Sequence, residues 1–209
     1  MTPGIEDVRK FYDERVERLS KENNRHRSVY VFLDSYIPPI PCSVLDIGCG
    51  TGQTSRHLAS RGRNVVAIDL SPVLIDYARS HSNGVGIEYI AADITTWTPG
   101  RRFDYIVMAD SLEHILPGSV DSLMSVLDSA SHDKTITLLS VPHPEWMRVA
   151  ASRGIPPQIV DIPWSMGDVE GRFRQAGYMP LVFDARPGGY YRAVLVRKEA
   201  FYATYNTGG

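Results

Sequence analysis

The sequence predicts a doubly wound α/β fold: a mostly parallel, seven-stranded sheet preceded by a helical segment. Three observations predict it. Short apolar runs alternate with helical patterns from residue 43 to 141, the arrangement that builds a parallel sheet with helices on both faces. The first run, Val44 to Ile47, passes directly into glycines at every second position, Gly48, Gly50 and Gly52. Glycine there lets the backbone turn sharply and lets a ligand approach with no Cβ in the way. Two further apolar runs flank Arg186-Pro187-Gly188-Gly189 and read as two strands joined by a turn.

Taken in order, Ile5, Val8, Phe11, Tyr12, Val16 and Leu19 recur at three- and four-residue intervals, and Ser28 to Tyr36 carries Val29, Tyr30, Phe32 and Leu33. Residues 5–36 are therefore helical in pattern, ended by Pro38-Pro39 and Pro41. The expected elements of the core are strand 43–47, helix 52–61, strand 64–69, helix 72–81, strands 86–91 and 103–108, helix 118–130 and strand 134–141. Ser71-Pro72 supplies an N-cap and a proline at the first helical turn. Residues 142–165 interrupt the alternation with five prolines and two tryptophans, Trp146 and Trp164, and read as a semi-rigid apolar loop covering the substrate side. Helix 167–176, a cap at Gly177 and strands 178–184 and 190–197 close the chain.

This organisation is a single domain over 1–209, comprising a helical lid (1–41), a ligand-binding core (43–141), the insert (142–165) and a C-terminal helix and hairpin (166–198). In open parallel sheets, ligands bind outside the carboxyl ends of the strands. Gly48 to Gly52, Asp69, Asp93 and Ala109 to His114 all fall at such ends.

Composition narrows the function. The 209 residues carry a formal charge of −2 and are 43% hydrophobic and 22% charged, ordinary for a globular protein. With pI near 6.3, the chain lacks the basic balance of a nucleic-acid binder, so a small-molecule substrate is expected and a nucleic-acid partner is not. Two cysteines, Cys42 and Cys49, imply no disulfide framework. No run of 18 apolar residues occurs and the charged N-terminus lacks a signal-peptide core, so the expectation is a cytoplasmic protein off the membrane. No motif specifies an oligomeric state.

The glycine spacing separates two nucleotide readings. The dinucleotide fingerprint is G-x-G-x-x-G, whereas this chain has G-x-G-x-G preceded by Asp46, which disfavours a nicotinamide-linked dehydrogenase. The run Asp46-Ile47-Gly48-Cys49-Gly50-Thr51-Gly52 resembles the first motif of class I S-adenosylmethionine-dependent methyltransferases. The resemblance spans roughly residues 43–198 and implies the Rossmann-like methyltransferase fold. It implies that the loop wraps the methionine portion of the cofactor and that Asp69, beside Leu70, accepts from the ribose hydroxyls. Asp93 and Ile94 would serve the adenine, with Ala109 at the end of the fourth strand.

The resemblance also implies S-adenosyl-L-homocysteine as product and an N-terminal segment that closes over the site, for which Tyr12, His26, Arg27 and Tyr30 are the residues of interest. Asp110-x-x-Glu113-His114 is similar to the E-x-x-E-H element of ubiquinone-type O-methyltransferases and of small-RNA 3′-end methyltransferases. In those groups the carboxylates and histidine can hold a divalent metal. Here a metal is not expected, and Asp110 and Glu113 are assigned to substrate binding with Tyr12, Tyr30, Trp146 and Trp164. His114 and His143, near the ends of the fourth and fifth strands, are the candidate bases. The reading is methyl transfer to a small molecule, at oxygen rather than nitrogen. A metal-assisted RNA methyltransferase and a non-catalytic cofactor-binding subunit are the alternatives.

Overall fold

A computed structural model describes residues 2–21, 26–82, 86–186 and 189–206. Pro187 and Gly188 of the expected hairpin turn, and the side chain of His26, lie outside the described residues. Seven strands form one sheet: β1 (Ser43–Ile47), β2 (Asn64–Asp69), β3 (Ile87–Ala91), β4 (Phe103–Ala109), β5 (Ser131–Pro142), β6 (Tyr178–Arg186) and β7 (Tyr190–Arg197). Their order is β3-β2-β1-β4-β5-β7-β6. The pairs among β1 to β5 are parallel, and β7 runs antiparallel to both β5 and β6. The order reverses between β1 and β4, and this switch point leaves a crevice beyond the strand ends.

The strands are apolar on both faces because helices cover both. Side chains alternate along a strand, so Leu45, Ile47, Val66 and Ile68 join one core while Val44, Val65 and Ala67 join the other. The first core is completed by α6 (Val120–Ala130) and α8 (Met166–Gln175), which supply Leu123, Leu127 and Phe173. The second is closed by α3 (His26–Tyr36), α4 (Gln53–Ser60) and α5 (Pro72–Ser80) through Val29, Leu33, Leu58 and Ile75. Ser71 caps α5, accepting from Leu74 N–H at 3.0 Å, with Pro72 in its first turn.

Four elements differ from expectation. The N-terminal pattern breaks into α1 (Ile5–Asp13) and α2 (Val16–Lys21); at the break Arg15 folds back over the Phe11 ring, 3.3 Å from its centroid, and donates to the Phe11 carbonyl that the helix leaves unpaired by its own backbone there. β5 begins three residues early at Ser131. The insert contains a helix, α7 (Pro144–Ser152); its prolines read as loop signals, yet Pro144 occupies the first turn, where proline starts helices. Past β7 the chain forms α9 (Lys198–Asn206), which the pattern did not announce. Among the described residues no helix is long and apolar enough to cross a membrane.

Candidate functional site

Beyond the ends of β1, β2 and β4 lies a cavity of about 850 Å³, a size typical of small-ligand sites. Its floor is the loop after β1 and the tips of β2, β3 and β4; its roof comes from α1, α2, α7 and residues 155–165.

The three glycines of the loop have three different jobs. Gly48 has φ +72°, and a Cβ there would sit 2.4 Å from Ser111 Cβ, so this glycine lets the tip of β4 approach β1. Gly52, at φ +75°, caps α4, and a Cβ would meet the Tyr89 hydroxyl at 2.6 Å and Ala78 Cβ at 2.8 Å. Its job is packing, and it does not line the cavity. Gly50 lines the cavity, and a Cβ built on it meets nothing within 4 Å. It leaves an open wall at the N-terminal end of α4, where N–H groups and the helix dipole favour a carboxylate or other electron-rich group.

Two carboxylates stand behind this wall, Asp69 half-buried and Asp46 buried. Asp69 lies between two backbone donors: Oδ2 accepts from Gly50 N–H at 2.8 Å and Oδ1 from Ser71 N–H at 2.9 Å. Burial still pushes its carboxyl above the usual range, against those two hydrogen bonds. Ser71 Oγ also donates to Asp13 Oδ1 at 2.5 Å, which ties the end of α1 to the same corner. Asp46 is fully buried, accepts from Ser55 Oγ at 2.5 Å, and is pushed up to about 7 by desolvation. At the end of β3, Asp93 Oδ1 accepts from both Thr95 N–H (2.8 Å) and Thr95 Oγ (2.7 Å), a local turn that fixes the carboxylate at the cavity edge beside buried Ile94.

The tip of β4 is held in an unusual conformation. Asp110 is the one non-glycine residue with positive φ among the described residues, at +56°. Its N–H donates to the Ser140 carbonyl (2.8 Å) and its Oδ1 accepts from Ser140 Oγ (3.1 Å); such strain persists where surrounding contacts over-determine it. Ser111 follows, 7% exposed, with its hydroxyl buried at the cavity and unpartnered among the described residues. A buried hydroxyl of this kind needs a partner, which a bound water or ligand in the cavity can supply.

A 3-10 turn, Leu112–His114, then carries Glu113 and His114 under the roof. Glu113 is 1% exposed, and its Oε1 is 3.6 Å from His114 Nε2. His114 Nδ1 lies 2.8 Å from the Val160 carbonyl, and Nε2 lies 3.0 Å from the Gln158 amide nitrogen. Gln158 Oε1 in turn accepts from Tyr12 Oη at 2.9 Å. Burial, then the charges of Glu113, Asp69 and Asp161, push the Tyr12 phenol far above its ordinary value, so it remains a donor. Both nitrogens of His114 are engaged in this way, and among the described residues no three His, Cys, Asp or Glu side chains gather to hold an ion.

Of the expected site residues, Asp46, Gly48, Gly50, Asp69, Leu70, Asp93, Ile94, Ala109, Asp110, Glu113, His114, Tyr12 and Trp146 line one cavity. Four do not. His143 is the N-cap of α7: its Nδ1 accepts from Glu145 N–H at 2.9 Å and its ring packs on Tyr191, so it faces away from the cavity that Pro142 and Pro144 line. Tyr30 stacks on His57 at 4.1 Å, because α3 packs beside α4 and faces a separate polar recess. Trp164 packs against the core of α6 and α8. Gly52 is the packing glycine already described. Sequence reading placed Ser111 at the strand end within Ala109 to His114 but gave it no role of its own. It missed Asp13 and Gln158, which carry no local signal.

Comparisons agree with this architecture. Residues 44–130 match the family described as methyltransferase domain. The magnesium-protoporphyrin O-methyltransferase of Rhodobacter capsulatus is 35% identical over 98 residues, 46% of this chain and 43% of that protein. The ubiquinone biosynthesis O-methyltransferase of Xanthomonas euvesicatoria is 42% identical over 77 residues, 34% of this chain and 32% of that protein. The chain thus spans less than half the length of these curated relatives. Among solved structures, the complex of DhpI with SAH superposes with a TM-score of 0.76 at 20% identity, covering 92% of this chain and 96% of that one. Residues 44–130 are thus similar to a methyltransferase domain, and the chain as a whole shares the fold of the DhpI structure.

Proposed function

We propose that this protein transfers a methyl group from S-adenosylmethionine to an oxygen of a small-molecule acceptor. The observation that carries the reading is the open wall at Gly50, with the Asp69 carboxylate suspended directly behind it. The residues present fit this cofactor: Gly48 to Gly50 and the start of α4 would hold its amino-acid end, Asp69 and Leu70 its ribose, and Asp93 and Ile94 its adenine. The buried Ser111 hydroxyl supplies a further donor at the same site. When bound, the cofactor would supply an electrophilic methyl on a sulfonium whose bonding pair stays on sulfur.

The chain's task is alignment, because in-line displacement needs the reacting atoms at roughly 3–3.5 Å. Phe11, Leu19, Trp146, Met147 and Ile155 form an apolar roof that excludes water and suits a small, partly apolar acceptor over a polyanion. Under that roof His114 is the base. The Val160 carbonyl accepts from Nδ1–H, so Nε2 carries the lone pair that receives the proton of an acceptor hydroxyl, a contribution of about 10²–10⁴-fold. Glu113 stabilises the resulting imidazolium and Asp110 faces the acceptor side. Oxygen as the target also draws support from two relatives named as O-methyltransferases. A cytoplasmic setting belongs to the same reading, in keeping with the free thiols of Cys42 and Cys49.

Calorimetric titration with S-adenosylhomocysteine, repeated with Mg²⁺ and with EDTA, tests this. Micromolar binding indifferent to metal is the expected result. A folded protein that takes up no S-adenosylhomocysteine would overturn the assignment.

A further inference from the structure

We propose that Gln158 is the positioning residue of His114, and that its carboxamide turns over to match each protonation state of the imidazole. The inference rests on the reading of His114 as the proton acceptor. Three hydrogen bonds determine the arrangement seen. Tyr12 Oη donates to Gln158 Oε1 (2.9 Å), which points the amide NH₂ at His114 Nε2 (3.0 Å). An amide NH₂ can only donate, so Nε2 must present its lone pair; a carbonyl can only accept, so Nδ1, 2.8 Å from Val160, must carry the proton. The chain Tyr12–Gln158–His114–Val160 is complete only for a neutral imidazole protonated at Nδ1.

Turning the carboxamide by half a rotation gives a second complete arrangement. Oε1 then accepts from Nε2–H of an imidazolium, while the NH₂ donates to Tyr12 Oη, whose own hydrogen takes its other in-plane position. Both protonation states therefore keep the hydrogen bonds of Tyr12, Gln158, His114 and Val160 to one another, where a buried group of that chain left unpaired would cost about 1–3 kcal/mol. In the first arrangement the amide also occupies the lone pair that an acceptor hydroxyl must reach. An incoming acceptor displaces Gln158, its O–H proton passes to Nε2, and the turned amide holds that proton once the product leaves. The partners come from three separate segments, α1, the 3-10 turn after β4 and the loop after α7, so the bond from Tyr12 to Gln158 also holds the roof shut over the base.

The charged and titratable groups lining the cavity on the elements around His114 are Glu113 on its own turn, Asp110 just past β4, Tyr12 on α1, Arg15 between α1 and α2, Arg18 on α2, Asp69 at the end of β2, Arg148 on α7 and Asp161 in the loop. All are common to wild type and to Gln158 variants, so the contribution of the carboxamide can be isolated.

The experiment is ¹⁵N NMR of the histidine imidazoles, followed against pH in the ligand-free protein and in its S-adenosylhomocysteine complex, with H114N to assign the signals. The neutral wild-type His114 should show a protonated Nδ1 and a bare Nε2. Gln158→Glu offers only acceptors, so the midpoint of His114 protonation should rise by about one pH unit or more. Tyr12→Phe removes the group that orients the amide, and the midpoint should rise by a smaller amount. It also serves as the test should Gln158→Glu fail to fold. A His114 protonated at Nε2 when neutral, or a midpoint unmoved in these variants, overturns the proposal. Calorimetry on the same wild-type sample separates this from the proposed function: absent S-adenosylhomocysteine binding removes that reading, while the ligand-free spectra test the network alone.

Discussion

The floor and the roof of the cavity are built by different physics. The floor is backbone: N–H groups of Gly50 and Ser71 aimed at one carboxylate, a helix start, and glycines that admit close approach. Its pieces lie within a few residues of the strand ends, and the sheet register between β1 and β2 places them. The roof is side chain: Tyr12, Gln158 and His114 meet from segments that share no sheet register, and Asp13 joins α1 to the cap of α5. A floor of this kind suits one invariant ligand, whereas a roof of this kind can be rebuilt for different acceptors without disturbing the sheet. The same division explains why histidines 114 and 143, alike on paper, differ: one is gripped by the roof network and the other spends its ring on capping a helix.

Substitutions within the glycine loop should break the floor in two distinguishable ways. Gly52→Ala places a methyl against Tyr89 and Ala78 at positive φ, and urea unfolding should show a loss of about 2–5 kcal/mol. Gly50→Ala meets no atom and should cost only the backbone strain, about 1–2 kcal/mol, while weakening S-adenosylhomocysteine binding. Equal stability losses in the two variants would erase the distinction between packing and ligand glycines.

The buried acid of the floor gives a pH test. The Asp46 carboxyl is raised in the folded state, so its contribution is full below its unfolded value and is lost as pH climbs to about 7. Asp46→Asn should therefore become increasingly more stable than wild type between about pH 4 and 7, by on the order of 1.4 kcal/mol for each pH step of one across that window. Parallel stability–pH curves would refute it. Asp69→Ala should weaken S-adenosylhomocysteine by about 1.5–3 kcal/mol, tenfold or more, by calorimetry; unchanged affinity would remove Asp69 from the cofactor site. The smallest effect belongs to His143→Ala, which should lower stability by about 1 kcal/mol through the lost N-cap while affinity stays put. A drop in affinity would return His143 to the site.

The sheet and the floor were legible in the residues alone. Strand ends, glycine spacing and the acids at Asp69 and Asp93 are adjacent in the chain, so periodicity and turn chemistry locate them without knowledge of the fold. Even the misread helix α7 had its signal in Pro144 at a first turn. The roof needed the folded chain. Gln158 lies 44 residues from His114 and 146 from Tyr12. No local pattern distinguishes a glutamine that orients an imidazole from one that faces water. Packing settled it, by bringing three polar side chains into an enclosed space where each had to find its partner among the others.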